Sequence, residues 1–288
     1  MTIYRLMKEL RTVYPVAAMA DVYNVSTSGF YDWLHRMPSR RHQRREAVTD
    51  AVREVFDQSD AIYGSRKIAR ELAEREVNAC RNTVAKIMRR MNLRSRAQKR
   101  RFVVTTDSSH LEPVAPNTLD RRFEASAPNR KWVADLTYIP TAEGFVYLAA
   151  VMDLYSRRIV GWALSDSLES SIVLDALDQA IRTRLPEPGL LHHSDRGTQY
   201  ASARHRTMLS DHGIECSMSR RGNCWDNAPM ERFMNSLKNE WTNHQPIFKT
   251  IEETRTSVFR YIEIFYNRER RHQALGYVSP CRFEEEAA

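Results

Sequence analysis

No stretch of this sequence strings together the roughly 18 apolar residues that would suggest a membrane span. Its first residues, Met1 to Tyr14, mix apolar and basic side chains and carry neither a secretory hydrophobic region nor a small-residue cleavage site. The expected location is therefore the cytoplasm. Cysteine is scarce: Cys80, Cys216, Cys224 and Cys281 stand far apart, with no C-x-x-C. That argues against a disulfide framework and against a tetrahedral zinc site. His192 and His193 adjoin, but no second close pair of soft ligands accompanies them. Internal repeats and low-complexity segments are also missing. The last absence is local: between Arg81 and Arg101 there is no acidic residue at all, against nine basic ones.

What is present is an ordinary globular composition, 42% hydrophobic and 28% charged, in 288 residues. That length is enough for a full core and for more than one domain. The net charge of +8 is unevenly spread. Residues 1–110 hold 22 basic and 12 acidic side chains, so all the excess positive charge lies in the first third. A solvated helix face with a basic linker would look like this. So would a surface for a polyanion, where each neutralised phosphate releases counterions. Charge does not separate DNA from RNA.

Helical spacing organises the first third. Val16 to Val22 is followed by a turn at Tyr23–Ser26, and Ser26 or Ser28 can cap a helix through Phe30, Tyr31, Trp33 and Leu34. A long helix is expected from about Gln43 to Gln58. A second helix pair covers Ser65 to Arg75 and Cys80 to Met91, with a break near Val77-Asn78. The second of these helices presents Arg81, Asn82, Lys86, Arg89 and Arg90, as a major-groove recognition helix would; an exposed helix of a bundle would too. Residues 102–128 read as a linker. Strands are expected at Lys131–Ile139, Gly144–Met152 and Arg157–Leu164, in an antiparallel meander. A helix at 169–184, a short strand at 190–193, a helix at 199–212, a strand at 214–218, a helix at 226–241 and a last helix at 251–267 follow. The expected fold class is α/β: a ribonuclease-H-like mixed-sheet core preceded by an all-α helix-turn-helix region. The expected division is 1–58 (N-terminal helices), 59–105 (basic helix-turn-helix), 106–128 (linker), 129–245 (catalytic core) and 246–288 (C-terminal helical extension).

Among 36 acidic residues, Asp–Asp–Glu triples exist at almost any spacing, so placement has to decide. Asp135 interrupts the apolar strand Trp132-Val133-Ala134-Asp135-Leu136, where an ionised carboxylate is costly unless paired or bound to metal. Asp195 follows the strand Leu190–His193, at the carboxyl edge where open α/β sheets bind ligands. Glu231 lies in the helix over that edge. Three carboxylates with no obvious cation among them describe a site for Mg²⁺, and two such ions suit in-line phosphoryl displacement. Each residue also has a bland reading. Asp135 can pair with an arginine, Asp195 can be a turn residue, and Glu231 can be an exposed helix residue. Lys238, seven residues beyond Glu231, falls on the same helical face and in reach of a phosphate. Asp153 is a competing ligand, for which a structural role opposite Arg157 or Arg158 is preferred. Trp225, Asn227 and Arg220-Arg221 precede the helix, as substrate contacts or loop anchors.

Several segments are recognisable in themselves. Lys131-Trp132-Val133-Ala134-Asp135-Leu136-Thr137-Tyr138-Ile139, His193-Ser194-Asp195-Arg196-Gly197-Thr198-Gln199-Tyr200 and Asn227-Ala228-Pro229-Met230-Glu231-Arg232-Phe233 resemble the integrase core of DDE-type bacterial insertion-sequence transposases. Asp153 to Trp162, the tail with Tyr266-Asn267, Arg271-His272 and Leu275 to Pro280, and Tyr63-Gly64-Ser65-Arg66-Lys67-Ile68 are similar to the same family. The resemblance covers nearly the whole chain. It is strongest to the second-frame product of two-frame elements, whose cores are related to retroviral integrases; the His-His-Cys-Cys zinc module of those integrases is not present here.

The resemblance implies cleavage of element ends to free a 3′-hydroxyl, and attack of that hydroxyl on another phosphodiester. It implies two Mg²⁺ per active site, with Mn²⁺ as a substitute, held by Asp135, Asp195 and Glu231. DNA contacts are expected from Lys238, Arg81, Lys86, Arg89, Arg90 and Arg94. It also implies a homo-oligomer on element-end and target DNA, and an upstream-frame DNA-binding protein that is often fused by frameshifting. The alternatives are a nuclease of the same fold that hydrolyses without joining, and a DNA-binding regulator without catalysis. The presence of all three carboxylates argues against the second.

Overall fold

Near-continuous burial along β1 (Lys131–Thr141) and β2 (Gly144–Asp153) marks strands covered on both faces. In the computed structural model, which describes residues 3–37, 39–96 and 113–287, these strands form the centre of a five-stranded sheet. Pro38 and residues 97–112, which hold the end of the basic run and the start of the expected linker, lie outside the described residues.

β1, β2 and β3 (Ile159–Ser165) pair antiparallel as a meander. The third strand starts two residues later than expected, because Arg157 takes a left-handed turn conformation (φ 61°) that carries the chain round from β2. The helix α7 (Ser171–Arg184) then crosses the sheet and delivers β4 (Leu191–Ser194) parallel to β1. A second crossover delivers β5 (Glu215–Met218) parallel to β4, giving the order β3-β2-β1-β4-β5 of a ribonuclease-H-like fold. Close packing of α7 depends on Gly161 in β3: a Cβ there would lie 2.2 Å from the Ala176 carbonyl oxygen and 2.8 Å from the Ala180 Cβ.

Three expected helices have different internal structure. The span 199–212 is broken at Ser202 into α8 (Thr198–Ala201) and α9 (Ala203–Asp211), because the Ser202 hydroxyl accepts the His205 N–H and caps α9. The span 226–241 is a 3₁₀ turn at Cys224–Asn227, then α10 (Ala228–Ser236), then a π-helical turn at Leu237–Trp241. The last helix is α11 (Ile251–Phe259) continued by a π-helical Arg260–Glu269. Where the two π segments meet, Trp241, Tyr261, Phe265 and Tyr266 pack ring on ring, with centroids 5.6–6.3 Å apart. A 3.6-residue periodicity cannot reveal this widened winding. A short α12 (Pro280–Glu285), capped by Ser279, ends the described chain.

Two cores sandwich the sheet. α7 and α9 cover Trp132, Ala134 and Val151, while α10 and the C-terminal helices cover Val133, Ile139 and Leu148. Residues 113–128, read as linker, lie against the sheet: Leu119 is buried, and the Thr118 and Leu119 N–H groups donate to the Ser217 hydroxyl.

The amino-terminal part has two small cores. The helices α1 (Ile3–Leu10), α2 (Val16–Val22) and α3 (Thr27–His35) meet at Met7, Met19 and Phe30, and Ser26 caps α3 by accepting the Gly29 N–H at 3.0 Å. The helix α1 was not among the expected elements. α4 (Arg40–Gln58) starts three residues early, at a Ser39 cap, and shares its core with α5 (Ser65–Glu74) and α6 (Arg81–Arg90) rather than with α1–α3. That α5–α6 pair is fastened to the catalytic part. Arg271 forks onto Glu71 and Glu74 with bonds of 2.6–2.8 Å, and the Tyr63 hydroxyl bonds Glu269 and Arg271.

Candidate active site

The sheet register brings the two aspartates together. Val133 pairs with His193 between parallel β1 and β4, so two residues on, Asp135 lies opposite Asp195, just past the end of β4. Alternation along β1 puts Val133, Asp135, Thr137 and Ile139 on the face covered by α10, which carries Glu231 in its first turn. Asp135 accepts the Leu136 N–H at 2.9 Å, and Asp195 accepts the Gly197 N–H at 2.9 Å. Burial, and then the negative charges of Asp195 and Glu231, push the Asp135 carboxyl well above the ordinary aspartate range. The Leu136 N–H and the Lys238 ammonium oppose the shift without reversing it. Asp135 thus feels both of the other carboxylates.

Around this edge the supports carry many hydrogen bonds. Asp226, fully buried in the 3₁₀ turn that leads into α10, accepts bonds from Arg220 Nε at 2.8 Å, Arg220 Nη2 at 2.7 Å, the Arg220 N–H at 2.9 Å, Arg121 Nε at 2.8 Å and Asn117 Nδ2 at 3.0 Å. Hydrogen bonding by the Arg220 guanidinium leads the effects that hold its carboxyl far below the usual range. Next to it, buried Asn227 donates from Nδ2 to the Ala134 carbonyl at 2.9 Å, tying the helix start to the residue before Asp135. His193 bridges β4 to β5 through Ser217 at 2.8 Å and Ser219 at 3.1 Å; burial pulls its imidazole down to about 4, so it is neutral at pH 7.

Under Asp195 lies a different patch. The Tyr200 hydroxyl and both ring nitrogens of His192 and His205 are buried without a hydrogen-bond partner, with ring centroids 5.3–5.5 Å apart. Burial first, then the Asp135 and Asp195 charges, raises the Tyr200 phenol well above its ordinary value. His192 and His205 are likewise held neutral by burial. The two histidines have an aromatic, not a ligating, arrangement.

The remaining sequence-derived candidates separate clearly. Lys238, on the π-helical turn after α10, places its ammonium 4.4 Å from the centroid of the Tyr138 ring, and burial lowers its pKa. Asp153 has a structural setting, but opposite Arg184 (3.5 Å) rather than Arg157 or Arg158; it also accepts the Asn129 and Tyr155 N–H groups. Arg158 instead pairs with Glu284 at 2.8 Å on α12. Arg220 is committed to Asp226, whereas Arg221 and Trp225 are exposed. On α6, Arg81, Lys86, Arg89 and Arg90 are all exposed, as is Arg94 just beyond it. Arg89 and Arg94 border a groove shared with Ser65 and Asn92, and Arg90 also donates to Thr49 on α4 at 3.1 Å. The sequence reading passed over Asn117, Arg121 and Asp226 as supports. The only signal was an aspartate beside Asn227, with two of its partners, Asn117 and Arg121, about a hundred residues away.

The donor set fits hard cations, being carboxylate oxygens with mutual repulsion to relieve. Among the described residues, however, no three His, Cys, Asp or Glu side chains close round a single ion by themselves. A partly hydrated ion, completed by water and substrate phosphate, is what such an edge suits.

The chain is similar to known proteins over most of its length. An integrase core domain model matches residues 125–224, a second integrase core domain model matches 212–280, and an HTH-like domain model matches 43–101. The chain is 43% identical over 267 residues to the insertion element IS600 uncharacterized 31 kDa protein of Shigella sonnei, covering 93% of this chain and 97% of that protein. It is 38% identical over 283 residues to transposase InsF for insertion sequence IS3A of Escherichia coli K12, covering 98% of both. It is also similar to the HTLV-2 integrase catalytic core domain solved in complex with magnesium, at 16% identity and a TM-score of 0.43, over 56% of this chain and 99% of that one. With an integrase core, an HTH-like domain and end-to-end identity of this order, the chain belongs to the DDE-type transposases of IS3-like insertion sequences, DNA-binding enzymes of the polynucleotidyl transferase class.

Proposed function

We propose that Asp135, Asp195 and Glu231 are the catalytic carboxylates of this transposase. They would hold Mg²⁺, two ions per active site with Mn²⁺ as a substitute. Such ions, when bound, supply activation of the attacking oxygen and stabilisation of the leaving one at phosphorus. The observation that carries this reading is the setting of Asp135: half-buried, beside two more carboxylates at the β1/β4 edge, with no arginine among the described residues paired to it. The Asp226 and Asn227 contacts hold α10 against β1, and so keep Glu231 over the two aspartates.

In the reaction, water first attacks a phosphodiester at the element end, forming a P–O bond as the P–O bond to the 3′-oxygen breaks, which frees a 3′-hydroxyl and leaves a 5′-phosphate on the flanking strand. That hydroxyl then forms a new P–O bond at the target phosphorus as a neighbouring P–O bond breaks, so the number of phosphodiesters is conserved. Lys238 is suited to contact a phosphate near the reacting one. Arg81, Lys86, Arg89, Arg90 and Arg94 form an exposed basic stripe suited to duplex DNA. A homo-oligomer holding two element ends, an upstream-frame DNA-binding partner and a cytoplasmic location complete the reading. Consistent with the location, no helix among the described residues is long and apolar enough to cross a membrane.

The test is a joining assay with labelled element ends and the Asp195→Asn chain. Strand transfer is expected to vanish while DNA binding stays close to wild type. Undiminished joining would remove Asp195 from the site.

A further inference from the structure

Trp225 stands on the 3₁₀ turn Cys224–Asn227 that leads into α10, and it is 60% exposed. A lone surface indole needs no explanation by itself. The footing of this one does. Asp226, the next residue, is fully buried and bonded to Arg121, Arg220 and Asn117. Asn227, after it, is buried and donates to the Ala134 carbonyl at 2.9 Å. Two residues before the indole, the Asn223 side-chain carbonyl accepts from Arg121 at 3.0 Å. These neighbours do the anchoring, and Trp225 belongs to neither of the cores that sandwich the sheet. An aromatic ring is thus held out to solvent on a turn that is itself fixed.

Helix winding relates the indole to the acidic edge. Residues three apart eclipse in a 3₁₀ turn and share a face on an α-helix. Trp225, Ala228 and Glu231 have that spacing, so they run down one side of the turn and of α10. Burial agrees: Asn227, Met230, Phe233 and Met234, on the other side, are buried, whereas Ala228 and Glu231 are half-buried. The rise of the two windings separates Trp225 from Glu231 by about 10 Å along the axis. That is about three base steps of a DNA strand. Ala228, between them, carries only a methyl group.

We propose that Trp225 is a stacking platform for a base unpaired at the cut end of the element, within about three nucleotides of the reacting phosphate. The chemistry of the indole selects this occupant. It is flat and uncharged, so it has little to offer a phosphate. An intact duplex presents phosphates and groove edges, and keeps its base faces inside the stack. A base face is offered only at an end, or where pairing is opened beside the bond to be cut. The turn hangs on the residue before Asp135, in a chain of the DNA transposase family, so the strand being cut supplies that face. Stacking there holds the end in register with the carboxylates and tolerates any base, because every base has a π-face. The fixed turn limits the ordering cost of binding. The proposal rests on the carboxylate reading above, which makes this edge the place of the cut.

The probe is a pre-cleaved element end with a 3′-deoxy terminus, which cannot join, bound by the full chain in Mg²⁺ with its terminal pairs either matched or mismatched. Wild type is expected to bind the mismatched end about tenfold more tightly, because its base is already unpaired. Trp225→Ala should bind the two ends alike, and should lose about tenfold on the mismatched one. Trp225→Phe, which keeps a ring, should retain most of the preference. No preference in wild type, or an equal preference in Trp225→Ala, overturns the platform. If Trp225→Ala changes the sedimentation of the chain and leaves end binding unchanged, the indole meets a second copy of the chain and the proposal fails. Should the alanine variant not fold, ultraviolet crosslinking of wild type to 5-iodouracil at the unpaired positions decides. Attachment is expected at Trp225, and attachment elsewhere counts against it. The Asp195→Asn joining assay tests the carboxylates by themselves, whereas this probe cannot react, so the two readings fail separately.

Discussion

Asp226 and Asp135 lie in neighbouring elements, on opposite sides of the same helix start, yet their surroundings are opposite. Asp226 meets two guanidiniums, a backbone N–H and an amide, and its charge is welcome. Asp135 meets Asp195 and Glu231, and its charge is resisted. The first pattern is that of an acid whose work is to hold structure. The second is that of an acid whose partners are not supplied by the protein. A buried carboxylate is thus informative less through its burial than through the sign of what surrounds it.

This contrast makes ordered predictions. The largest effect is expected for Asp135→Asn, with strand transfer falling to background while the metal-free chain unfolds at the same or a higher urea concentration. A clear loss of stability would make Asp135 a structural acid like Asp226. Next, Asp226→Asn is expected to lower unfolding free energy by about 2 kcal/mol, through weakened charge-assisted bonds. Strand transfer should then fall only in part, as α10 loosens over β1. A melting temperature equal to wild type would show that the arginine cage does not hold the helix.

The pH dependence should separate the two acids by sign. The Asp226 carboxyl is depressed in the fold, so its stabilisation is present above the unfolded aspartate value and is lost only as pH falls through the lower folded value. Asp135 is raised, so its ionisation penalises the fold at neutral pH, and the penalty fades as pH drops below the folded value. Urea midpoints from about pH 8 down to about pH 4 should therefore show a constant deficit for Asp226→Asn. Any gain from Asp135→Asn should shrink toward acid. Parallel curves for the two variants would erase the distinction.

The smallest change is expected on α6. Replacing Arg89, Arg90 and Arg94 should leave strand chemistry intact but flatten the salt dependence of DNA binding. Arg90 should contribute least, because Thr49 already accepts from it. A slope equal to wild type would move the contact off α6.

Much of this was legible in the chain itself. The apolar runs around β1 and β2 and the helical spacing of Ile68, Leu72, Val84 and Ile87 do not depend on distant partners, and those residues are buried in the structure. Asp135 stood out because a charge inside an apolar strand is anomalous wherever that strand goes. The π-helical turn carrying Lys238 did not stand out, since aromatic packing from residues 261–266 sets it. Nor did the Asp226 cage, whose arginine and asparagine come in part from a stretch with a linker's composition.

The sequence by itself determined the order of elements in the core and the family, and it nominated three acids, because periodicity, composition and motif are local or are shared along the whole chain. Tertiary structure alone decided which acids are satisfied and which are not. Asp153 found Arg184, Asp226 found Arg220 and Arg121, and Asp135 found Asp195 and Glu231. Charge compensation depends on distance in space, and spacing along the chain does not carry that distance.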